Sequence, residues 1–296
     1  YEHNVTIENC ELSGFIPVSV RNIVAGNNKP INVKFVGNNT LTKGGLYDVV
    51  FAANEYKSGD VPKLPTGKWT IEGADNYVVF PREYKVSNVD QLKKAITYAK
   101  TGLNKSIIFA EDIVADTDVY IAQEEGVNLI IDGNNHKFNR GFIVDGQNRS
   151  AGTDTVLFTN INFYTEESAP LTFISCPSKY NGKDERYSHN VTIDGCTFAA
   201  STLSEEVGAI SAQKTYHLTV KNCTATNLHS LLQVQSCDND VTVENVKVEN
   251  CKSGISMGNT KDTKITKAQI EAKKYGIRFE GTSAREVKAT ITESSI

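Results

Sequence analysis

The residues best placed for chemistry are polar side chains that recur about every 22 residues in the last third of the chain. A two-residue alternation points them away from a core. They are Ser211, Gln213, Gln233, Gln235, Ser256, Arg278 and Glu280. Hydroxyl and amide groups donate and accept hydrogen bonds without carrying a charge. The set is therefore suited to hydrogen-bonding neutral hydroxyl groups of a ligand and poorly suited to proton transfer.

The elements that must position these residues are sequence repeats. The apolar columns are Ile210, Leu232, Ile255, Ile277; Val220, Val243, Ile265, Val287; and Cys223, Val246, Ala268, Thr290. A period of about 22–23 residues accommodates three short strands and three turns, which predicts a solenoid whose coils bury apolar side chains against their neighbours. The position before the second strand of successive coils holds Gly195, Asn222, Asn245 and Lys267. Glycine and asparagine predict a left-handed bend there.

Two phrases carry a family resemblance, Asn190-Val-Thr-Ile-Asp-Gly-Cys-Thr-Phe198 and His217-Leu-Thr-Val-Lys-Asn-Cys223. They resemble the right-handed parallel β-helix of the pectate lyase and polygalacturonase superfamily. The resemblance implies an all-β fold, and the superfamily's enzymes bind sugar along the outer face of the third-strand sheet. The superfamily also includes phage tailspikes, adhesins and proteins without catalysis, so the fold alone does not supply a function.

The repeat pattern divides the chain in two. Residues 1–85 begin with Asn4-Val-Thr-Ile-Glu-Asn-Cys10 and then lose the repeat, which predicts the C-terminal coils of one β-helix and a closing β segment. Residues 87–101 predict one amphipathic helix, with a capping-box pattern at Ser87 and Asp90. Because such a helix can cover the open apolar end of a solenoid, residues 86–296 are predicted to form a second β-helix with an N-terminal helical cap.

Composition limits the partners. The net charge of −4 argues against nucleic acid, and no apolar run approaches the roughly 18 residues of a membrane span. Both ends of the sequence fall inside coils. We therefore expect either part of a longer chain or a homo-oligomer.

The six cysteines predict buried free thiols. Cys196 and Cys223 share an inward column on strands about 4.8 Å apart, whereas disulfide Cβ atoms lie roughly 3.8 Å apart. No cysteine has zinc-ligand spacing, so we expect no metal and no cofactor. The remaining candidates for calcium are the turn residues Asp238, Asp240 and Asp262, although such clusters are more often simply solvated.

Catalysis would require charged groups at defined distances. A glycosidase uses two carboxyl groups about 5–9.5 Å apart. The only outward acids on the third strands are Asp145 and Glu280, about five coils or roughly 24 Å apart. For Arg278 and Glu280 a cross-coil ion pair is the predicted role. His217 and His229 lack an obvious acid partner and are predicted to be surface residues.

Two classes of function remain. In the first, the chain is a non-catalytic β-helix of the extracellular surface or of a virion, such as a phage tail or fibre protein or an adhesin, that contacts glycans through the polar residues. In the second, it is a polysaccharide lyase or glycoside hydrolase with its site in the long loop that holds Lys183, Asp184, Glu185 and Arg186. The first is favoured because the third-strand face carries so few carboxylates.

Overall fold

The computed structural model describes residues 3–21, 31–44, 49–52, 69–73, 79–80, 83–98, 105–123, 128–146, 154–166, 171–178, 187–281 and 288–296. The chain forms two compact units. The first comprises residues 1–85 with 105–107, and the second comprises residues 86–104 with 108–296.

The first unit is built from short strands that stack in parallel. They are β1 His3–Glu8, β2 Glu11–Gly14, β3 Val18–Arg21, β4 Ile31–Val36, β5 Thr40–Lys43, β6 Val49–Ala52, β7 Trp69–Glu72 and β8 Val79–Phe80. Three small parallel sheets result, β1-β4-β7, β2-β5 and β3-β6-β8. The buried residues Val18, Val33, Phe35 and Val49 form their common core. Parallel stacking thus continues through β6, β7 and β8, in the part of the chain where the sequence repeat is no longer visible.

One helix is present among the described residues, α1 Val89–Tyr98, and it follows strand β9 Glu83–Val86. The predicted cap was wrong by one residue: the Asn88 Oδ1 atom, not the Ser87 side chain, accepts the Gln91 N–H at 3.0 Å. The Gln91 side chain in turn accepts the Ser87 N–H at 2.8 Å. Leu92 and Ile96 are buried as predicted. The predicted end of the helix, residues 99–101, lies outside the described residues.

The second unit continues with strands that form three faces of a solenoid. They are β10 Lys105–Phe109, β11 Val119–Ala122, β12 Asn128–Asp132, β13 Lys137–Phe138, β14 Phe142–Asp145, β15 Thr155–Thr159, β16 Asn162–Thr165, β17 Leu171–Cys176, β18 Ser188–Asp194, β19 Thr197–Ala200, β20 Val207–Ala212, β21 Thr215–Lys221, β22 Thr224–Thr226, β23 Ser230–Val234, β24 Cys237–Glu244, β25 Lys247–Gly258, β26 Thr260–Thr266, β27 Gln269–Glu280 and β28 Lys288–Thr292.

Each face is a sheet of strands from successive coils. Within the second unit, the first-strand sheet runs in the order β12, β15, β18, β21, β24, β26, β28. The second-strand sheet contains β13, β16, β19, β22 and the first halves of β25 and β27. The third-strand sheet contains β11, β14, β17, β20, β23 and the second halves of β25 and β27. The all-β right-handed parallel β-helix predicted from the sequence is confirmed.

The strand register confirms one apolar column completely. Ile210, Leu232, Ile255 and Ile277 pair in sequence across neighbouring strands. One earlier coil is longer, because Val156 pairs with Val191, 35 positions further on, across the long loop after residue 177. On the first-strand sheet, the 22–23-residue period describes the steps from Leu218 to Val241 and from Val241 to Thr263.

The other two columns hold only in part. Val220, Val243 and Ile265 pair as predicted, but Ile265 next pairs with Ile291, and Val287 lies outside the described residues. Thr290 does not continue the third column, because it pairs with Lys264 on the first-strand sheet. The last coil is four residues longer than the regular ones, which moves Thr290 to another face.

The bend between the first and second strands is left-handed, as predicted. Backbone φ angles are +68° at Gly195, +54° at Asn222, +51° at Asn245 and +55° at Lys267. The asparagines also stack: the Asn245 Nδ2 atom donates to Asn222 Oδ1 at 2.8 Å, and Asn222 Nδ2 donates to Asp194 Oδ1 at 2.8 Å. The turn is therefore held by both its backbone conformation and a side-chain ladder.

The cysteine after such a bend satisfies a carbonyl group of the turn. The Cys223 Sγ atom donates to the Lys221 carbonyl at 3.1 Å, and Cys251 Sγ donates to the Glu249 carbonyl at 3.4 Å. Ser294 makes the same contact with the Thr292 carbonyl at 2.9 Å. All six cysteines are free thiols, and five of them are buried, whereas Cys10, predicted to be buried, is only half-buried. Burial raises the pKa of the Cys223 thiol from 9.0 to about 12.

The interior is filled mainly by branched aliphatic side chains and by phenylalanines. The Phe163 and Phe198 rings stack with their centroids 5.0 Å apart, and the Phe142 and Phe158 rings lie 5.0 Å apart in a tilted pair. All four rings are fully buried. Each coil therefore covers the apolar face of the coil before it.

We predict that Asn222→Ala lowers the free energy of unfolding by about 2 kcal/mol and Asn222→Gly by about 1 kcal/mol. Both changes remove the side-chain ladder, but only alanine also resists the left-handed backbone. Urea denaturation followed by circular dichroism measures the difference, with Thr219→Ala on an outward strand position as the control. Equal losses for alanine and glycine would contradict a role for the backbone conformation.

A second prediction concerns thiol reactivity. With a neutral thiol at pH 8, Cys223 should resist a disulfide reagent in the folded chain, as should the buried Cys176, Cys196, Cys237 and Cys251. Only the partly exposed Cys10 should react before urea is added, which mass spectrometry of the labelled peptides would show.

The raised pKa of the Cys223 thiol also predicts how the stability of the folded chain depends on pH. The stability that Cys223 contributes as a buried neutral group is fully present below pH 9.0, its ordinary pKa. It is lost as the pH rises toward about 12. Rapid labelling of Cys223 in the folded chain at pH 8 would contradict both statements.

Candidate functional site

The structure brings the polar residues predicted from the sequence together on the outer face of the third-strand sheet. We call this set the polar strip: Ser211, Gln213, Gln233, Gln235, Ser256, Arg278 and Glu280. Ser211, Gln233, Ser256 and Arg278 follow one another in direct register. Neighbouring members are thus about 4.8 Å apart along the stack. Glu280 pairs with Gly258 in the adjacent column.

Four members of the polar strip are available to a ligand. In the described part of the chain, the Ser211, Gln233, Gln235 and Ser256 side chains have no hydrogen-bond partner. Gln235 is exposed and the other three are half-buried. The strip therefore presents unsatisfied hydroxyl and amide groups at regular intervals.

The remaining members are already engaged. The Gln213 Oε1 atom accepts hydrogen bonds from Ser178 N at 3.1 Å and Ser178 Oγ at 3.0 Å, which anchors the start of the long loop. Arg278 forms an ion pair with Glu280, two residues further along the same strand. The predicted cross-coil pairing is wrong, because residues i and i+2 of one strand face the same side. The Arg278 guanidinium also lies 5.1 Å from the centre of the Tyr275 ring.

The two outward acids of this sheet have separate environments. Asp145 is 1% exposed and accepts a hydrogen bond from the Tyr120 hydroxyl group. Glu280 is exposed and paired with Arg278. Five strand-to-strand steps separate β14 from β27 in this sheet, or roughly 24 Å. No two carboxylates of the described third-strand face therefore have a glycosidase spacing.

The prediction that His217 lacks an acid partner is wrong. His217 pairs in register with Asp240 on the next coil, and its Nδ1 atom contacts the Asp240 carboxylate. The Asn239 amide lies 2.9 Å from the other ring nitrogen, Nε2. A 23-residue spacing, the same as that between Val220 and Val243, was the signal that could have revealed this pair.

The His217–Asp240 pair lies on the first-strand sheet, away from the polar strip. Asp240 pairs with Asp262, and Asp262 pairs with Lys288, so two neighbouring carboxylates of one outward column lie between His217 and Lys288. A shallow depression of about 250 Å³ lies beside it. Its outward polar lining is Asp240, Thr242, Asp262, Lys264, Lys288 and Thr290.

No group of three or more His, Cys, Asp or Glu side chains converges to hold a metal ion within the ranges that the structure describes. Asp240 and Asp262, two of the calcium candidates, lie on adjacent strands. Asp238 lies near the register shift that precedes Asp240.

His229 is half-buried, and its Nδ1 atom lies 2.7 Å from the Glu205 carbonyl oxygen. The Glu205 carboxylate itself contacts the Lys252 Nζ atom at 2.8 Å. The Lys252 ammonium group lowers the pKa of the Glu205 carboxyl group. The charged groups near His229 are thus paired.

The loop candidates for catalysis, Lys183, Asp184, Glu185 and Arg186, lie outside the described residues. Their loop begins at Ser178, which Gln213 holds, and its far end returns to β18. The Ser188 hydroxyl group on β18 donates to the Val144 carbonyl at 2.9 Å. The start of the loop is therefore held by Gln213, and its far end is held by β14.

Three parallel sheets, left-handed turns and an inward apolar column define a solenoid protein of the right-handed parallel β-helix class. Residues 118–296 match the family model described as a right handed beta helix region. The match covers more than half of the sequence, and the chain belongs to this family. No curated protein and no solved structure matches the chain.

No helix in the described ranges is long and apolar enough to cross a membrane.

Proposed function

We propose that the chain is a non-catalytic β-helical protein of a cell surface or a virion, of the adhesin or phage-tail kind, that binds glycans along the polar strip. The observation that carries this proposal is the direct register of Ser211, Gln233 and Ser256, whose side chains have no other partner in the described structure. A glycan presents hydroxyl groups at regular intervals along its length. A regular row of hydroxyl and amide groups is complementary to it.

The charges on the strip support binding over catalysis. Its one cation, Arg278, is neutralised by Glu280, and its other members are uncharged. General acid–base chemistry needs a titratable group within hydrogen-bond reach of the reacting atom. Among the residues that the structure describes, the half-buried centre of the strip consists of Ser and Gln side chains.

Surface or virion localisation is supported by the architecture. A β-helix buries apolar side chains along its whole length, which suits an extended protein. Its buried free thiols also suit folding in a reducing compartment before assembly into a particle.

An oligomer or a longer chain forms part of the proposal. Strands β27 and β28 leave Phe279 and Ile291 about two-fifths exposed, at 38% and 41%. Covering such apolar side chains with further coils or with another copy would bury apolar area at roughly 25 cal/mol per Å².

We expect the purified chain to bind neutral oligosaccharides and the double variant Gln233→Ala/Ser256→Ala to bind them at least about tenfold more weakly, because two hydrogen bonds are lost. Isothermal titration calorimetry measures the affinity. The double variant Thr219→Ala/Thr242→Ala changes outward residues of the first-strand sheet and should bind normally. Equal losses for both double variants would contradict a site on the polar strip.

The enzyme alternative predicts turnover. Reducing-end and unsaturated-product assays on neutral and uronic acid polysaccharides should show no product from the folded chain. Product that disappears in Asp184→Asn or Glu185→Gln would overturn the non-catalytic proposal and assign the chemistry to the long loop.

A further inference from the structure

A tyrosine lies in the same outward column as the polar strip, three coils before Ser211. Tyr120 pairs with Ile143, Ile143 with Ser175, and Ser175 with Ser211. At about 4.8 Å per coil, Tyr120 is roughly 14 Å from Ser211 along the stack. It is the aromatic member of the column whose later members form the strip.

The Tyr120 ring is held against the sheet instead of pointing into solvent. Its hydroxyl group donates to the Asp145 carboxylate, and Asp145 lies two residues beyond Ile143 on the neighbouring strand. To reach that position the ring must extend diagonally over β14. Asp145 is 1% exposed while Tyr120 remains 39% exposed. The buried end of the contact is thus fixed, and the Tyr120 side chain remains partly exposed.

A fixed, flat aromatic ring is suited to contact with the apolar face of a sugar ring. A pyranose presents C–H groups on its faces and hydroxyl groups at its edges, and an aromatic face carries partial negative charge that attracts such C–H groups. Ile143, half-buried beside Tyr120, extends the apolar surface. This chemistry complements the hydrogen-bonding groups further along the column.

The charge at this end selects between sugars. The Asp145 carboxylate accepts the hydrogen bond of the Tyr120 hydroxyl group and is therefore close to the edge of the ring. A uronic acid or sulfated sugar stacked on Tyr120 would bring a second negative charge close to Asp145, in a site partly shielded from water. Like charges at short range in such a site repel strongly. A neutral sugar meets no such penalty.

We propose that Tyr120, held by Asp145, forms an aromatic subsite that stacks a neutral pyranose unit of the glycan bound by the polar strip. This inference rests on the proposed function. Tyr120 contacts the sugar, and Asp145 is a positioning residue that fixes the ring and disfavours anionic sugars.

The test is calorimetric titration of the folded chain with cellohexaose, maltohexaose, mannohexaose and hexagalacturonate. Tyr120→Ala should weaken binding of the best neutral hexasaccharide by about three- to tenfold, because the stacking contact is lost. Tyr164→Ala is the matched control, since Tyr164 is a half-buried tyrosine on β16 of the second-strand sheet. Its affinity should equal that of the unchanged chain.

The Asp145→Asn variant tests the role of the charge, because a purely structural role of Asp145 would not change the preference between neutral and anionic hexasaccharides. The asparagine amide oxygen can still accept the Tyr120 hydroxyl group, so affinity for the neutral hexasaccharide should change by less than about twofold. Removal of the negative charge should raise affinity for hexagalacturonate. Thermal denaturation of each variant identifies any that does not fold, and the Asp145→Asn comparison remains valid if Tyr120→Ala fails to fold.

The outcomes separate this inference from the proposed function. If Gln233→Ala/Ser256→Ala weakens binding while folded Tyr120→Ala does not, the subsite is wrong and the polar strip stands. If hexagalacturonate binds more tightly than every neutral hexasaccharide, the neutral-sugar assignment is wrong. Failure of the unchanged chain to bind any of the four probes would overturn both proposals.

Discussion

The architecture depends on one backbone constraint, a residue with positive φ between the first and second strands of the coils from residue 190 onward. At Asn222 and Asn245 the φ angles are +54° and +51°, and this bend turns the chain sharply enough for the next strand to join a different sheet. The bend leaves a carbonyl group pointing inward, and a thiol such as that of Cys223 satisfies it. A serine does the same at residue 294. Cysteine at this position therefore serves as a small apolar residue that can still donate one hydrogen bond.

Regular stacking converts sequence columns into surface rows. Residues one period apart in the sequence become neighbours about 4.8 Å apart on the surface. The residue type that recurs at this period therefore determines the chemistry of each row of side chains. On the third-strand sheet this gives hydroxyl and amide groups with an anchored tyrosine at one end. On the first-strand sheet it gives a column of ionisable groups, in the order His217, Asp240, Asp262 and Lys288. The same backbone thus supports a neutral face and a charged face.

Much of the fold could be predicted from the sequence, because apolar columns and turn asparagines are local signals. The Ile210 column and the left-handed turns were found in this way. Thr290 was misplaced because a fixed period was carried across a longer last coil. The spacing of His217 and Asp240 matches the period, so the sequence also contains the signal for this pair. The role of Tyr120 required knowledge that its hydroxyl group reaches Asp145 on another strand, and sequence spacing alone does not give side-chain direction.

The pitch of the solenoid has a consequence for selectivity. Because backbone hydrogen bonds fix the distance between neighbouring coils, the spacing of the groups in the polar strip cannot adjust to the glycan that we propose it binds. A polymer whose repeat length is a multiple of the coil spacing keeps its units aligned with the polar strip over many coils. A polymer with a different repeat length loses this alignment after a few units. Selectivity between polymers would then depend on the number of aligned contacts along the strip and not on any single contact.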